Sequence, residues 1–149
     1  MFENREDRLE ANEVTLIERL NGAPELSDYV DWLTEVLDHA PVSDPSPALF
    51  QACFRFLERH RESEFGMPGP LVHFLEAFYP AYSDALAESI ERIPTVHTLW
   101  MVRRILNSPW KPGIHDALFS AVMVGAGSKD ACADVVSEAQ QIVMQRKAT

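Results

Sequence analysis

The stretch "PTVHTLWMVRRILN", residues 94–107, decides the fold class. Stepping about 100° per residue along a helix, Val96, Leu99, Trp100, Met101, Val102, Ile105 and Leu106 fall on nearly every side of the axis. A helix apolar all round is one packed between neighbours, so this segment is expected to be the central helix of its domain. Arg103 and Arg104 stand at its middle. Arg103 lies on the arc between Val96 and Leu99, where a half-buried guanidinium needs an acidic partner or carbonyl acceptors. Glu88 and Glu91, on the segment before it, are the expected partners. Arg104 shares an arc with His97 that reaches solvent.

Outward from this helix, proline and glycine cut the chain into helix-length pieces, because proline disrupts a helix interior and suits a first turn. The pieces run over residues 4–20, 25–39, 46–62, 70–79, 82–92, 96–107, 113–124 and 128–146. None alternates apolar and polar residues as a half-buried strand does, so the expected fold is all-α, about eight helices and no sheet. Thr95 and Ser128, the latter with Lys129 and Asp130, are expected N-caps, and Ser46 caps a helix opened by Pro47. Short links between helices of this length favour antiparallel hairpins.

An internal echo bears on how the hairpins are arranged. "PLVHFL" begins at Pro70 and "PTVHTL" at Pro94, and "DAL" recurs at Asp84–Leu86 and Asp116–Leu118. Offsets of 24 and 32 residues match a two-helix unit, the period of HEAT-type solenoids. A HEAT-like solenoid and an irregular bundle both remain open. His73 and His97 occupy the same place in the two copies, which predicts a packing role for each.

The 149 residues fit a single helical domain, 1–149, large enough to bury a core without disulfides or metals. Cys53 and Cys132 form no C-x-x-C pair and sit in apolar helical stretches, so both are expected to be reduced, buried thiols. The charged opening "MFENREDRLEANE" lacks the character of a signal peptide, and no run approaches a membrane span; a cytoplasmic protein is expected. The net charge of -10 disfavours nucleic acid, whose binding relies on Lys and Arg. It is also unevenly spread. Residues 1–44 carry 12 acidic and 3 basic side chains, whereas residues 95–149 carry 4 and 6. Such polarity steers a basic partner toward the N-terminal third.

The motifs of catalysis are missing: no G-x-S-x-G, no phosphate-binding glycine loop, no H-E-x-x-H, no calcium loop and no zinc spacing of Cys and His. His73 and Glu76 share a helix face at i,i+3, but the second copy has Trp100 where Glu76 stands, so no metal site and no cofactor are expected. His39, His60, His73, His97 and His115 are scattered. A helical nucleic-acid enzyme would have only Arg103, Arg104, Lys111, Arg146 and Lys147 for a basic groove, and a non-enzymatic protein is the favoured reading.

The second helix, "ELSDYVDWLTEVLDHA", is the best candidate surface. Helical geometry collects Asp28, Asp31, Glu35 and Asp38 on one stripe, with Trp32 and His39 at its border, while Tyr29, Val30, Leu33, Val36 and Leu37 fill the opposite arc. An aromatic beside carboxylates suits a protein-binding face; equally, acidic residues on a helix face are often only solvated, with Trp32 tucked against the first helix. Glu13, Glu18 and Glu25 extend the stripe.

At "ERIPTVHTLWMVRRILNSPW", residues 91–110, the chain resembles the small all-α, HEAT-like immunity proteins of bacterial polymorphic and contact-dependent growth-inhibition toxin systems. The likeness covers residues from Pro70 to Val124 and rests on a proline-initiated helix, the T-L-W-M-x-x-R-I-L-N core and the acidic composition. The resemblance implies a cytoplasmic protein that binds and neutralises one cognate toxin domain, often a nuclease. Nucleases are commonly basic because they hold phosphates, so an acidic inhibitor suits them. The alternative is a HEAT-like adaptor or scaffold in a larger assembly.

Overall fold

The computed structural model describes residues 5–108, 112–129 and 131–147, with side chains given from residue 11 onward except Pro112. Lys111 and Asp130 therefore lie outside the described residues. Within them are eight helices: α1 (Arg5–Asn21), α2 (Val30–His39), α3 (Pro47–Arg59), α4 (Pro70–Glu76), α5 (Ser83–Arg92), α6 (Val96–Leu106), α7 (Pro112–Ala126) and α8 (Ala133–Lys147). The fold is all-α. Among the described residues, the β-structure is an isolated parallel bridge between Asp28 and Glu64.

The chain divides into two compact units, Met1–Tyr79 and Pro80–Thr149. In the first, α1 packs on α3 and α2 on α4; in the second, α5 packs on α7 and α6 on α8. Odd helices meet odd and even meet even. That neighbour relation belongs to stacked two-helix hairpins more than to a bundle in which consecutive helices dominate the contacts.

The sequence echo, in contrast, does not mark equivalent positions. Pro70 is the first residue of α4, after the N-cap Gly69, whereas Pro94 precedes the N-cap Thr95 of α6. The copies are offset by two residues relative to their helix starts, which turns the shared side chains to different directions. His73 is exposed and His97 is buried, so the common packing role expected of them does not hold. The two "DAL" triplets differ likewise: Asp84 is the second residue of α5 and Asp116 the fifth of α7.

Helix α6 forms largely as its sequence requires. Thr95 accepts a hydrogen bond from Thr98 N–H at 3.1 Å while Thr98 Oγ1 accepts from Thr95 N–H at 3.1 Å, a reciprocal capping box. Thr98, Met101 and Val102 are fully buried, with His97, Leu99 and Ile105 nearly so, over about 200° of the helix. Trp100 and Arg103 are half-buried and Arg104 is exposed, so α6 keeps one accessible edge. In the other unit α3 is as deeply placed, with Leu49, Cys53, Phe54, Phe56 and Leu57 all at 0 % exposure.

Arg103 is bound, but by a different acid from those expected. Its Nη1 donates to Glu138 Oε2 on α8 at 3.0 Å, and Glu88 and Glu91 are both exposed. The even-with-even packing explains the choice, since α8 and not α5 is the main neighbour of α6. Gln145 Nε2 adds donations to the Arg103 carbonyl at 3.2 Å and to Asn107 Oδ1 at 2.7 Å, satisfying acceptors at the end of α6.

Two expected caps fail for local reasons. Helix α8 begins at Ala133, and Ser128 belongs to the turn before it, its carbonyl accepting from Ala131 N–H at 3.2 Å. Ser46 does hold the N-cap position of α3, but its hydroxyl makes no capping bond. Both its N–H, at 2.8 Å, and its hydroxyl donate to the Glu13 carboxylate of α1. Glu13 is thereby drawn into the fold and does not extend an exposed stripe. Cys132 is exposed, lying just before α8 and not within it. Cys53 is buried as expected, and desolvation pushes its thiol up to about 12, so it stays an inert core thiol.

Candidate functional site

The acidic helix is shorter than its sequence pattern implies. Residues 25–29 do not join α2, because their backbone groups are used laterally: Tyr29 N–H donates to the Glu64 carbonyl at 2.8 Å, and Glu64 N–H to the Ser27 carbonyl at 2.8 Å. Asp28 accordingly stands outside the helix, where its Oδ1 accepts from Val30 N–H at 2.9 Å. Asp31, Glu35 and Asp38 are exposed on α2, opposite the buried Leu33 and Val36. His39 is exposed too, its Nδ1 donating to the Glu35 carbonyl at 2.7 Å. The stripe therefore holds as three helical carboxylates and one at the helix entrance.

Trp32 belongs as much to the core as to this face. Its ring stacks on Phe56 at 5.8 Å, meets Tyr29 edge-on at 5.9 Å, and lies under the Arg19 guanidinium at 6.0 Å. It is half-buried. Substituting it would disturb packing as well as any contact made through its exposed edge.

The structure also adds carboxylates that helix periodicity does not reveal. The β-bridge brings Glu64, from the α3–α4 connection, beside Asp28, and both are exposed. Close by in the same unit, Glu25, Arg59, His60, Arg61, Glu62 and Ser63 line a polar cleft of about 250 Å³. The run "HRESE", residues 60–64, was the available signal: charged residues directly after a helix.

His60 is 6 % exposed and anchors the connection between α1 and α2. Its Nδ1 is 3.0 Å from Tyr29 Oη and 3.5 Å from Glu25 Oε2. Tyr29, fully buried, donates its hydroxyl to the Pro24 carbonyl at 2.6 Å and accepts from Leu26 N–H at 3.1 Å. Ser63 Oγ donates to the Leu26 carbonyl at 2.7 Å, and Arg59 Nη2 to the Leu20 carbonyl at 3.1 Å. Burial is the main force lowering the His60 pKa, the Glu25 carboxylate opposes it, and the Arg59 guanidinium adds to the lowering. The ring is held neutral in the folded chain at pH 7.

No group of three or more His, Cys, Asp or Glu side chains suited to a metal ion occurs among the described residues. No helix among them is long and apolar enough to cross a membrane. Comparison of the chain with protein-family models, curated proteins and solved structures returns no match.

Proposed function

We propose that the chain is an immunity-type protein that binds and neutralises a cognate toxin domain with a basic surface, without catalysing a reaction itself. The observation that carries this reading is electrostatic: residues 1–79 hold 16 acidic and 6 basic side chains, the whole net charge of -10, while residues 80–149 are balanced at 7 and 7. Asp28, Asp31, Glu35, Asp38 and Glu64 are the exposed carboxylates of that unit grouped around α2 and its entrance. They attract a basic surface over a Debye length and stand in for the phosphates that a nuclease grips. The chain acts in the cytoplasm in this proposal, where an incoming toxin is met.

The test is a double reversal, Asp31→Lys with Glu35→Lys, measured at two salt concentrations against a basic nuclease toxin domain that the chain protects cells from. Association should slow at least tenfold at low salt and the difference should shrink at high salt, with the helical signal unchanged. Unchanged kinetics in a folded variant would overturn the role of α2. A second reading, a scaffold in a larger assembly, draws on the stacked helix pairing in each unit, since such stacks present broad binding faces. Growth of cells expressing basic nuclease toxin domains, with and without this chain, separates the two: protection supports neutralisation and its absence supports the scaffold.

A further inference from the structure

We infer that two copies of the chain associate through the outward arc of α7, each helix crossing its counterpart antiparallel about a two-fold axis at Ser120. The inference goes beyond the toxin reading and does not depend on it, since every residue that makes the contact lies in the unit of residues 80–149.

Helix α7 buries Leu118, Ala121, Val122 and Gly125 on the side that packs within its unit, chiefly against α5. On the opposite side, within an arc of about 120° by helical geometry, Gly113, Asp116, Ala117, Ser120, Met123 and Val124 are exposed. The single charge among them, Asp116, is already paired with Arg146 of α8. Among the described residues, four of the seven large exposed apolar side chains lie on α7 and α8: Met123 at 51 % and Val124 at 58 %, flanked by Val136 and Met144. The free outer face of a stacked helix layer is ordinarily polar, and apolar side chains gathered there mark a contact surface.

Charge and shape together name a second copy as the occupant. The net charge of -10 belongs to residues 1–79, while residues 80–149 balance at 7 acidic and 7 basic, so this unit is where two like-charged chains meet with least repulsion. Shape narrows the choice further. The arc is small at its N-terminal end, with Gly113, Ala117 and Ser120, and large at its C-terminal end, with Met123 and Val124. A side chain added at Gly113 would meet nothing within 4 Å, so the small end is open. Antiparallel pairing about Ser120 lays Val124 of each copy on Ala117 of the other, with Met123 alongside, and the contact closes on itself as an isologous interface does. A single helix crossing falls at the low end of specific interfaces, below about 1,200 Å², so the dimer is expected to exchange readily with monomer.

The experiment is sedimentation equilibrium of the full chain over about 1 µM to 1 mM, the range that a contact of this size calls for. It should show a reversible monomer–dimer equilibrium that does not weaken as salt rises, because the contact is uncharged and salt screens the repulsion between the acidic units. Val124→Glu, at an exposed position that leaves the core intact, should weaken association about tenfold or more, since each copy would then bury an unpaired carboxylate. Val14→Glu, 55 % exposed on α1, should leave it unchanged. Ser120→Cys and Gly113→Cys, each combined with Cys132→Ser, test the direction of the crossing. A short bis-maleimide should join two copies through position 120, which lies on the axis, and should fail at position 113, where the antiparallel crossing holds the two sulfurs about 20 Å apart. A monomer throughout the range, a dimer that salt or Val14→Glu dissolves, a dimer indifferent to Val124→Glu, or equal linking at 113 and 120 overturns the inference.

Discussion

Residues 1–79 and 80–149 each fold as four helices with the same odd-to-odd and even-to-even pairing, but different side chains pack the interior of each. The first unit has 10 of the 14 aromatic residues. Tyr29, Phe56, His60 and Phe65 form a ring cluster with centroid separations between 4.8 and 5.7 Å, to which Trp32 adds its stack on Phe56. The second unit brings its helices together through small and aliphatic residues and clasps them with ion pairs. At Gly125 of α7 an added Cβ would lie 2.4 Å from the Ile90 carbonyl oxygen of α5, so glycine permits the backbones to approach. Arg103 joins α6 to α8, and Arg146 pairs with Asp116 while lying 4.5 Å over Phe119. Large rings space one set of helices and a missing side chain closes the other. One pairing plan therefore tolerates two kinds of filling, and the surplus negative charge is confined to the aromatic kind.

The contrast can be broken most severely at Phe56, whose ring meets four others. Phe56→Ala should cost about 3–5 kcal/mol in urea unfolding, and near-ultraviolet dichroism should show the aromatic cluster lost. Gly125→Ala should cost about 1–3 kcal/mol, despite the better helix propensity of alanine, because the new methyl meets backbone that cannot rotate away. A stabilised Gly125→Ala variant would show that close approach of α5 and α7 is not what holds the second unit.

Protonation sharpens the comparison further. His60 titrates in the folded chain below its ordinary value of 6.5, so its contribution to stability is present above about pH 6.5 and is lost as pH falls through that value toward the folded one. Melting temperatures should drop between pH 7 and pH 5 by more in the wild type than in His60→Gln. Hydrogen exchange should place that loss in amides of residues 22–29 and α3, with α6 and α8 less affected. Thr95→Ala, which removes the cap of α6, should cost about 1 kcal/mol. Smallest is Arg103→Ala. Its side chain is 40 % exposed and that of Glu138 21 %, so solvent screening limits the pair to at most about 1 kcal/mol in a double-mutant cycle with Glu138→Ala.

Helix number and type were readable from proline spacing and apolar periodicity because both express short-range sterics. Thr95 was readable for the same reason, since its capping bond closes over three residues. Partner identity was not. Arg103 chose Glu138, 35 residues away, over nearer acids, because helix pairing and not sequence distance decides which side chains meet. The echo at Pro70 and Pro94 misled since identical letters were offset by two residues from their helix starts. The acidic stripe was legible from Asp31 to Asp38 as helix geometry. Asp28 left the helix when its neighbours paired with Glu64, and the cleft at His60 was invisible because it joins residues from two connections.

The Glu13 carboxylate bonded to Ser46 N–H and hydroxyl couples the start of α3 to the docking of α1. Ser46 spends its hydroxyl on Glu13, so the start of α3 takes its anionic neighbour from a helix 33 residues upstream in sequence. In an unfolded chain that neighbour is absent, and closing a loop of this length carries an entropic cost. The first turn of α3 is therefore expected to gain protection when α1 docks. Amide exchange near Leu49 and Phe50 should track α1 docking, and Glu13→Gln should leave that turn frayed while the rest of α3 remains closed.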